Sequence, residues 1–211
     1  MRPLLLFIAL AVSMQGVVLD KIAIVVDHRV ITEFQLDEEI RVTALLNHKP
    51  IEQDLDTRRA AADRLVEQEL VRHEMELNQY PAPSPGEVEP LLEATESEFG
   101  GKASLAAAMQ RDRVNEQILR EHLRLQLMLL KFIDVRFRPD VEVSDSDVEA
   151  YYRQELAEWP KTHTGKPPSL EDSRASIVKK LTDERSDYAL SSWIEETRKQ
   201  VDIIYLDKDL D

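Results

Sequence analysis

Cysteine is absent from the 211-residue chain. That removes thiolate nucleophiles, cysteine-ligated zinc, iron–sulfur clusters, disulfides and a lipid-modified N-terminal Cys. Glycine is scarce as well: Gly16, Gly86, Gly100, Gly101 and Gly165 are the full set. With that spacing no G-x-G-x-x-G, Walker A or G-x-S-x-G motif can be written, which excludes dinucleotide, P-loop and α/β-hydrolase sites at the motif level. His28, His48, His73, His122 and His163 lie too far apart for an H-E-x-x-H helix, which leaves open only a site assembled in three dimensions; no metal and no cofactor is expected. Positive charge is also in deficit, with 27 Lys+Arg against 41 Asp+Glu and a formal charge of −14. A chain of that sign repels phosphate backbones and anionic lipid surfaces, and no Lys/Arg run supplies a basic patch, which excludes nucleic acid as a partner.

What is present points to helices. Hydrophobic residues make up 43% of the chain and charged residues 32%, against 6% aromatic. This balance predicts a mainly α protein with a well-solvated exterior. The first residues read as an address: Arg2 supplies a positive start, Leu4 to Val12 is a short apolar run, and Ala11-Val12-Ser13 has the small-x-small pattern of a signal-peptidase site. Residues 1–13 are therefore expected to be a cleaved secretory signal, with 14–211 as the mature domain. The apolar stretch is interrupted at Gln15-Gly16, short of the roughly 20 residues that a membrane-spanning helix needs.

Residues 17–32 combine β-branched runs with a polar break at Asp27-His28-Arg29 and predict a hairpin. Thr32-Glu33-Phe34-Gln35 is a capping box that opens a helix to about Leu46. A second helix, capped by Asp56 or Thr57, is expected to reach about Asn78. Its buried face would carry Ala62, Val66, Leu70, His73 and Leu77, with His73 a core histidine paired to Glu69. Tyr80 to Pro85 is a stiff connector, because each proline restricts itself and the residue before it. Ser84-Pro85-Gly86-Glu87 then opens a third helix that ends near Gly100-Gly101, unless Pro90 delays its start to about Glu89. Residues 104–137 are helical with a break around Asp112 to Asn115. From Asn115 onward the polar residues Glu116, Arg120, Arg124 and Lys131 share one narrow strip, and apolar side chains occupy most of the remaining circumference, so this helix must be covered on more than one side. Ser144 to Asp147 cap a further helix with an apolar stripe of Val148, Tyr151, Tyr152, Leu156 and Trp159, ended by Pro160. Residues 161–169 form a loop, and Leu170, Ile177, Leu181 and Tyr188 stripe a last long helix reaching about Lys199. Val201 to Leu206 is a strand. A lone C-terminal strand needs a partner, so both chain ends are expected to meet in one small antiparallel sheet.

This order of elements resembles a known family. Asp20 to Val26 with Val30-Ile31-Thr32, and Leu65 to Val71, are similar to the N-terminal chaperone domain of SurA and its relatives. Val141 to Tyr152 resembles the segment that leads into a parvulin prolyl-isomerase domain in that family, and Trp193 to Leu206 resembles its closing helix and strand. The resemblance covers nearly the whole mature chain, as a core over 17–159 completed by 170–206. It departs at 160–169, where a short loop stands in place of a parvulin domain, far below the roughly 50 residues of a small domain. The absence of cysteine sets the chain apart from the lipoprotein foldase PrsA, and the signal sets it apart from the cytosolic trigger factor.

The resemblance implies a periplasmic holdase that binds unfolded polypeptide, in this family including outer-membrane proteins in transit, and performs no catalysis. Two other readings remain open: a prolyl cis-trans isomerase of unusual form, and a scaffold subunit of an envelope assembly. The residues expected to contact clients are Leu125, Met128 and Phe132, against the competing reading that all three belong to the core. These lie within about 60° of one another on the helical wheel, and methionine adapts to varied partners.

Overall fold

The computed structural model describes residues 20–162 and 165–210; the expected signal, residues 1–13, lies outside them. The chain opens with strands β1 (Ile22–Val26) and β2 (Arg29–Thr32). They are joined by a tight turn in which Asp27 adopts a left-handed backbone, φ 51°. β1 pairs antiparallel with β2 on one side and with β3 (Ile203–Tyr205) on the other, so the sheet order is β2-β1-β3 and the first strand is central. The two chain ends therefore meet in one sheet, as the need of a C-terminal strand for a partner requires.

Among the described residues, seven α-helices account for most of the rest: α1 (Glu33–Leu46), α2 (Leu55–Leu77), α3 (Pro85–Glu98), α4 (Lys102–Asp112), α5 (Glu116–Arg136), α6 (Asp145–Thr162) and α7 (Leu170–Gln200). Their ends follow from local chemistry. The Thr32 hydroxyl accepts from the Gln35 amide while the Gln35 side chain accepts from the Thr32 amide, closing the expected capping box. The cap of α2 is Asp54 rather than Asp56 or Thr57, because the Asp54 carboxylate accepts from the Thr57 amide at 2.7 Å. α3 starts at Pro85, where the Glu87 carboxylate accepts from the Ser84 amide at 2.9 Å, and the helix continues through Pro90. Gly100 and Gly101 end it with φ of 79° and 115°, a conformation that costs any other residue strain. α4 and α5 are separated at Arg113, which takes a left-handed conformation, and Asn115 caps α5 by accepting from the Ile118 amide at 2.9 Å. Pro160 does not end α6, which runs to Thr162. A proline in the last turn removes one backbone bond, and only two further residues follow it.

Three buried clusters fill the body. One lies between the sheet, α1 and the first half of α2, and includes Ala23, Ile24, Ile31, Leu36, Ile40, Val66, Leu70 and Leu210. A second joins the second half of α2 to α5 and the end of α7, through Val71, Met75, Leu125, Met128, Phe132, Ile133, Phe137, Leu190 and Ile194. The third joins α1, α3, α4 and the start of α5. α5 thus serves two cores at once, which explains why its sequence is apolar around so much of its circumference. α6 packs on α7, and the two form a helical arm beside the body.

Candidate functional site

The residues most able to hold a ligand lie along α5. Three cavities follow one another beside it. The first, about 520 Å³, opens between α3 and α5, with Pro85, Val88 and Gln117 in its walls. The second, about 380 Å³, lies between α2 and α5 beneath the start of the proline connector, lined by Met75, Tyr80, Ala82 and Met128. The third, about 180 Å³, sits where α1, α2 and α5 converge, over Val42, Ile118 and Leu125. Glu121 borders all three, Arg124 the first two and Arg72 the last two, so the cavities adjoin as one furrow. The α5 residues in its walls run from Glu116 to Met128, a rise of about 18 Å, enough for five or six residues of extended chain at about 3.3 Å each.

The rim is charged and bonded to itself. Arg120 donates from Nε to Glu116 at 2.8 Å and from Nη1 to Glu89 at 2.6 Å. Arg124 makes a bidentate pair with Glu121 at 2.6 and 2.8 Å, and that guanidinium holds the Glu121 carboxyl below its usual range. Lys131 pairs with Glu87 and, with the Ser84 cap, draws the Glu87 carboxyl down to about 2. Arg72 donates to Glu69 at 2.7 Å, and Arg29 bonds Glu76. Glu38, on α1, forms no ion pair among the described residues. Burial pushes its carboxyl up, Arg41 opposes this, and Asp20 adds to it.

Below the third cavity, α1, α2 and α5 are joined by a buried polar cluster. Glu39 and His122 are 5% and 8% exposed, and the Glu39 carboxylate lies 3.2 Å from His122 Nδ1 and 2.9 Å from Arg64 Nε. Gln126 Nε2 lies 3.0 Å from His122 Nε2, so both imidazole nitrogens have a hydrogen-bonding partner. Burial alone would raise the Glu39 carboxyl, but the hydrogen bonds and charges of His122 and Arg64 outweigh it and hold the group below its usual range. This cluster replaces the expected one. His73 is exposed and does not pair with Glu69, whose partners are Arg72 and Arg29. Leu77 is exposed too, because the second half of α2 turns Val71 and Met75 inward against α5 and α7. A signal for His122 was present: it falls between Leu119 and Leu125 on the helix face most committed to the core.

The three expected contact residues are brought together, but in the second core cluster. Leu125 is 8% exposed, Met128 3% and Phe132 0%. Leu125 and Met128 reach the furrow as part of its floor. Phe132 does not. Its ring lies 5.0 Å from Trp193 and 5.4 Å from Phe137, with Tyr80 at 6.3 Å, and it is the centre of an aromatic cluster. On the far side of α5, Leu130 and Val135 are exposed instead.

Among the described residues no group of His, Asp or Glu is arranged to hold a metal, and no helix is long and apolar enough to cross a membrane. No family model and no curated protein matches the chain. Among solved structures, it is similar to a chain from work describing the virulence factor PEB4 and the periplasmic protein Cj1289 of Campylobacter jejuni as structurally related SurA-like chaperones. That likeness has a TM-score of 0.53 at 12% identity and covers 89% of this chain and 99% of the other. It is a likeness of fold.

Proposed function

We propose that the protein is a holding chaperone: it binds unfolded polypeptide in the furrow along α5 and releases it without catalysing any change in it. The observation that carries this reading is the furrow itself, an elongated channel on the scale of a short extended segment, with Met75 and Met128 in its floor and charge along its rim. Flexible, polarizable methionine side chains adapt to different partners. A formal charge of −14 would keep a loaded complex soluble. The likeness to a chain studied among SurA-like chaperones supports the same reading at the level of fold. The periplasm is its proposed compartment and outer-membrane proteins its proposed clients, on the strength of the N-terminal address and the family resemblance. The domain is proposed to comprise residues 14–211. Where the resembled family carries an isomerase domain, only residues 163–169 connect α6 to α7.

Of the three expected contact residues, Leu125 and Met128 are proposed as the furrow floor and Phe132 as the support beneath it. The test is aggregation suppression of a chemically unfolded protein, run beside a prolyl-isomerase assay on a proline-containing peptide. Suppression at near-stoichiometric ratios with uncatalysed isomerisation rates is expected. Accelerated cis-trans exchange that disappears on denaturation would put the isomerase reading in its place. Co-purification with one stoichiometric partner and no suppression would favour the scaffold.

A further inference from the structure

The furrow's chemistry is asymmetric in a way that the holding reading does not require. Six glutamates line it, Glu38, Glu39, Glu69, Glu76, Glu116 and Glu121, against three arginines. All three guanidiniums are already engaged: Arg120 by Glu89 and Glu116, Arg124 bidentately by Glu121, and Arg72 by Glu69. A carboxylate presents about four lone-pair sites, so one that has accepted a single bond can accept more, whereas an arginine fork clasped by a carboxylate has lost its directed donors. An incoming carboxylate would have to break a rim pair; an incoming ammonium or guanidinium would not.

Two carboxylates keep unused acceptor capacity. Glu38 has no ion pair among the described residues, and its carboxyl is pushed up by burial and by Asp20. Glu69 is nine-tenths buried; its Oε1 accepts from Arg72 at 2.7 Å, while its Oε2 has no hydrogen-bond partner, with Arg29 Nη1 3.8 Å away. A buried acceptor left unpaired is costly, and it is the kind of group that a ligand's donor would satisfy. The Nε atoms of Arg41 and Arg72 are unpaired donors in the same region, but Arg72 already bonds Glu69 through Nη1, and the charge of Arg41 is set against Glu38.

We infer that the occupant of the furrow is a cationic polypeptide segment, an apolar stretch flanked by lysine or arginine, with its positive side chains received at Glu38 and Glu69 where α1, α2 and α5 converge. This rests on the reading of the furrow as a polypeptide site and names the class of polypeptide it prefers.

The experiment is fluorescence anisotropy of the full chain with labelled peptides sharing one apolar core and flanked by lysines, by glutamines or by glutamates. At low salt the lysine peptide should bind on the order of tenfold more tightly than the glutamate peptide, and the gap should narrow as added salt screens the charges. Glu38→Gln should weaken the lysine peptide several-fold and leave the glutamine peptide unchanged, while Glu52→Gln, in the exposed loop before α2, should change neither. Equal binding of all three peptides, or a preference for the glutamate peptide, overturns the cationic preference and leaves the holding function standing. No binding of any peptide overturns both.

Discussion

The body and the arm of this molecule are both built from helices, yet they are held together differently. In the body, α5 is shared by two buried clusters, the sheet and α2 enclose a third, and Phe132 sits among Tyr80, Phe137 and Trp193. In the arm, α6 and the first half of α7 bury little beyond Val148, Ser173 and Ile177. Among the ties at the arm's surface are Arg174 to Asp145 at 2.8 Å, Arg185 to Asp147 at 2.9 Å, Tyr152 to the Pro168 carbonyl at 2.8 Å, and Lys180 over the Tyr151 ring at 4.9 Å. Exposed ion pairs contribute about 0–1 kcal/mol each, while a buried apolar side chain contributes about 1.5–3. A helix covered on two faces is therefore a rigid wall, and one covered on a single face a loosely held lever. The furrow belongs to the rigid part, where its floor is fixed by the core beneath it.

The largest expected effect comes from removing residues 201–211. That deletion takes β3 off the central strand, removes the buried Leu210, and strips Arg58 of Asp207 and Arg59 of the Asp209 carbonyl. Several kcal/mol should be lost, against a typical total of about 5–15, and the whole body should melt earlier. An unchanged melting temperature would mean that the third strand is an ornament on the sheet. Next, Phe132→Ala should cost about 3–5 kcal/mol in a denaturant titration, because it empties the middle of the aromatic cluster. The arm's counterpart, Tyr151→Ala, should cost about 1 kcal/mol and be visible as faster amide exchange in α6 rather than in the global transition. Equal costs for the two would erase the distinction between the regions.

Acid should loosen both regions at separate joints. The Glu87 carboxyl, drawn to about 2 mainly by Lys131, ties α3 to α5, and Asp147, drawn to about 2 mainly by Arg185, ties α6 to α7. Each pKa is lower folded than unfolded, so each pair stabilises fully above the ordinary value, 4.5 for the Glu and 3.8 for the Asp, and is lost as pH falls toward 2. Buried Glu39, also held low, adds the same sign to the body. Amide exchange followed from pH 5 to 2 should accelerate in α3 and α6, and Asp147→Asn should abolish the pH dependence of α6 alone. The smallest effect is expected from Tyr152→Phe, which removes one hydrogen bond worth about 0.5–1.5 kcal/mol. It should raise protease cleavage at 165–169 without moving the body's transition.

Much of this architecture is legible in the sequence because short-range chemistry determines it. The Thr32–Gln35 box, the Ser84–Glu87 start, the Gly100-Gly101 stop and the all-round apolarity of α5 each have a local cause, and the pairing of the chain ends follows from a strand with nowhere else to go. What was not legible depends on how helices rotate against one another. A 3.6-residue stripe extended from Val66 and Leu70 leads to His73 and Leu77, whereas the fold turns α2 so that Val71 and Met75 face α5 and His73 faces water. The buried histidine among the described residues is His122, whose acid partner Glu39 is far away in sequence and could be identified only once α1 and α5 were docked. The furrow has the same origin. Its residues come from α1, α2, the proline connector, α3 and α5, and the helical wheel of α5 alone groups Leu125 and Met128, which line it, with Phe132, which lies in the core beneath.

Because the chain has no cysteine of its own, a single introduced thiol reports one position unambiguously. Gln117→Cys and Ala82→Cys place an exposed reporter at two points along the furrow, and Glu155→Cys places one on the exposed face of α6. Each variant, carrying a photoactivatable crosslinker, would be mixed with an unfolded client and irradiated. The client should be trapped from both furrow positions and not from the arm; trapping from the arm alone, or equally from all three, would mean that the furrow is not where clients are held.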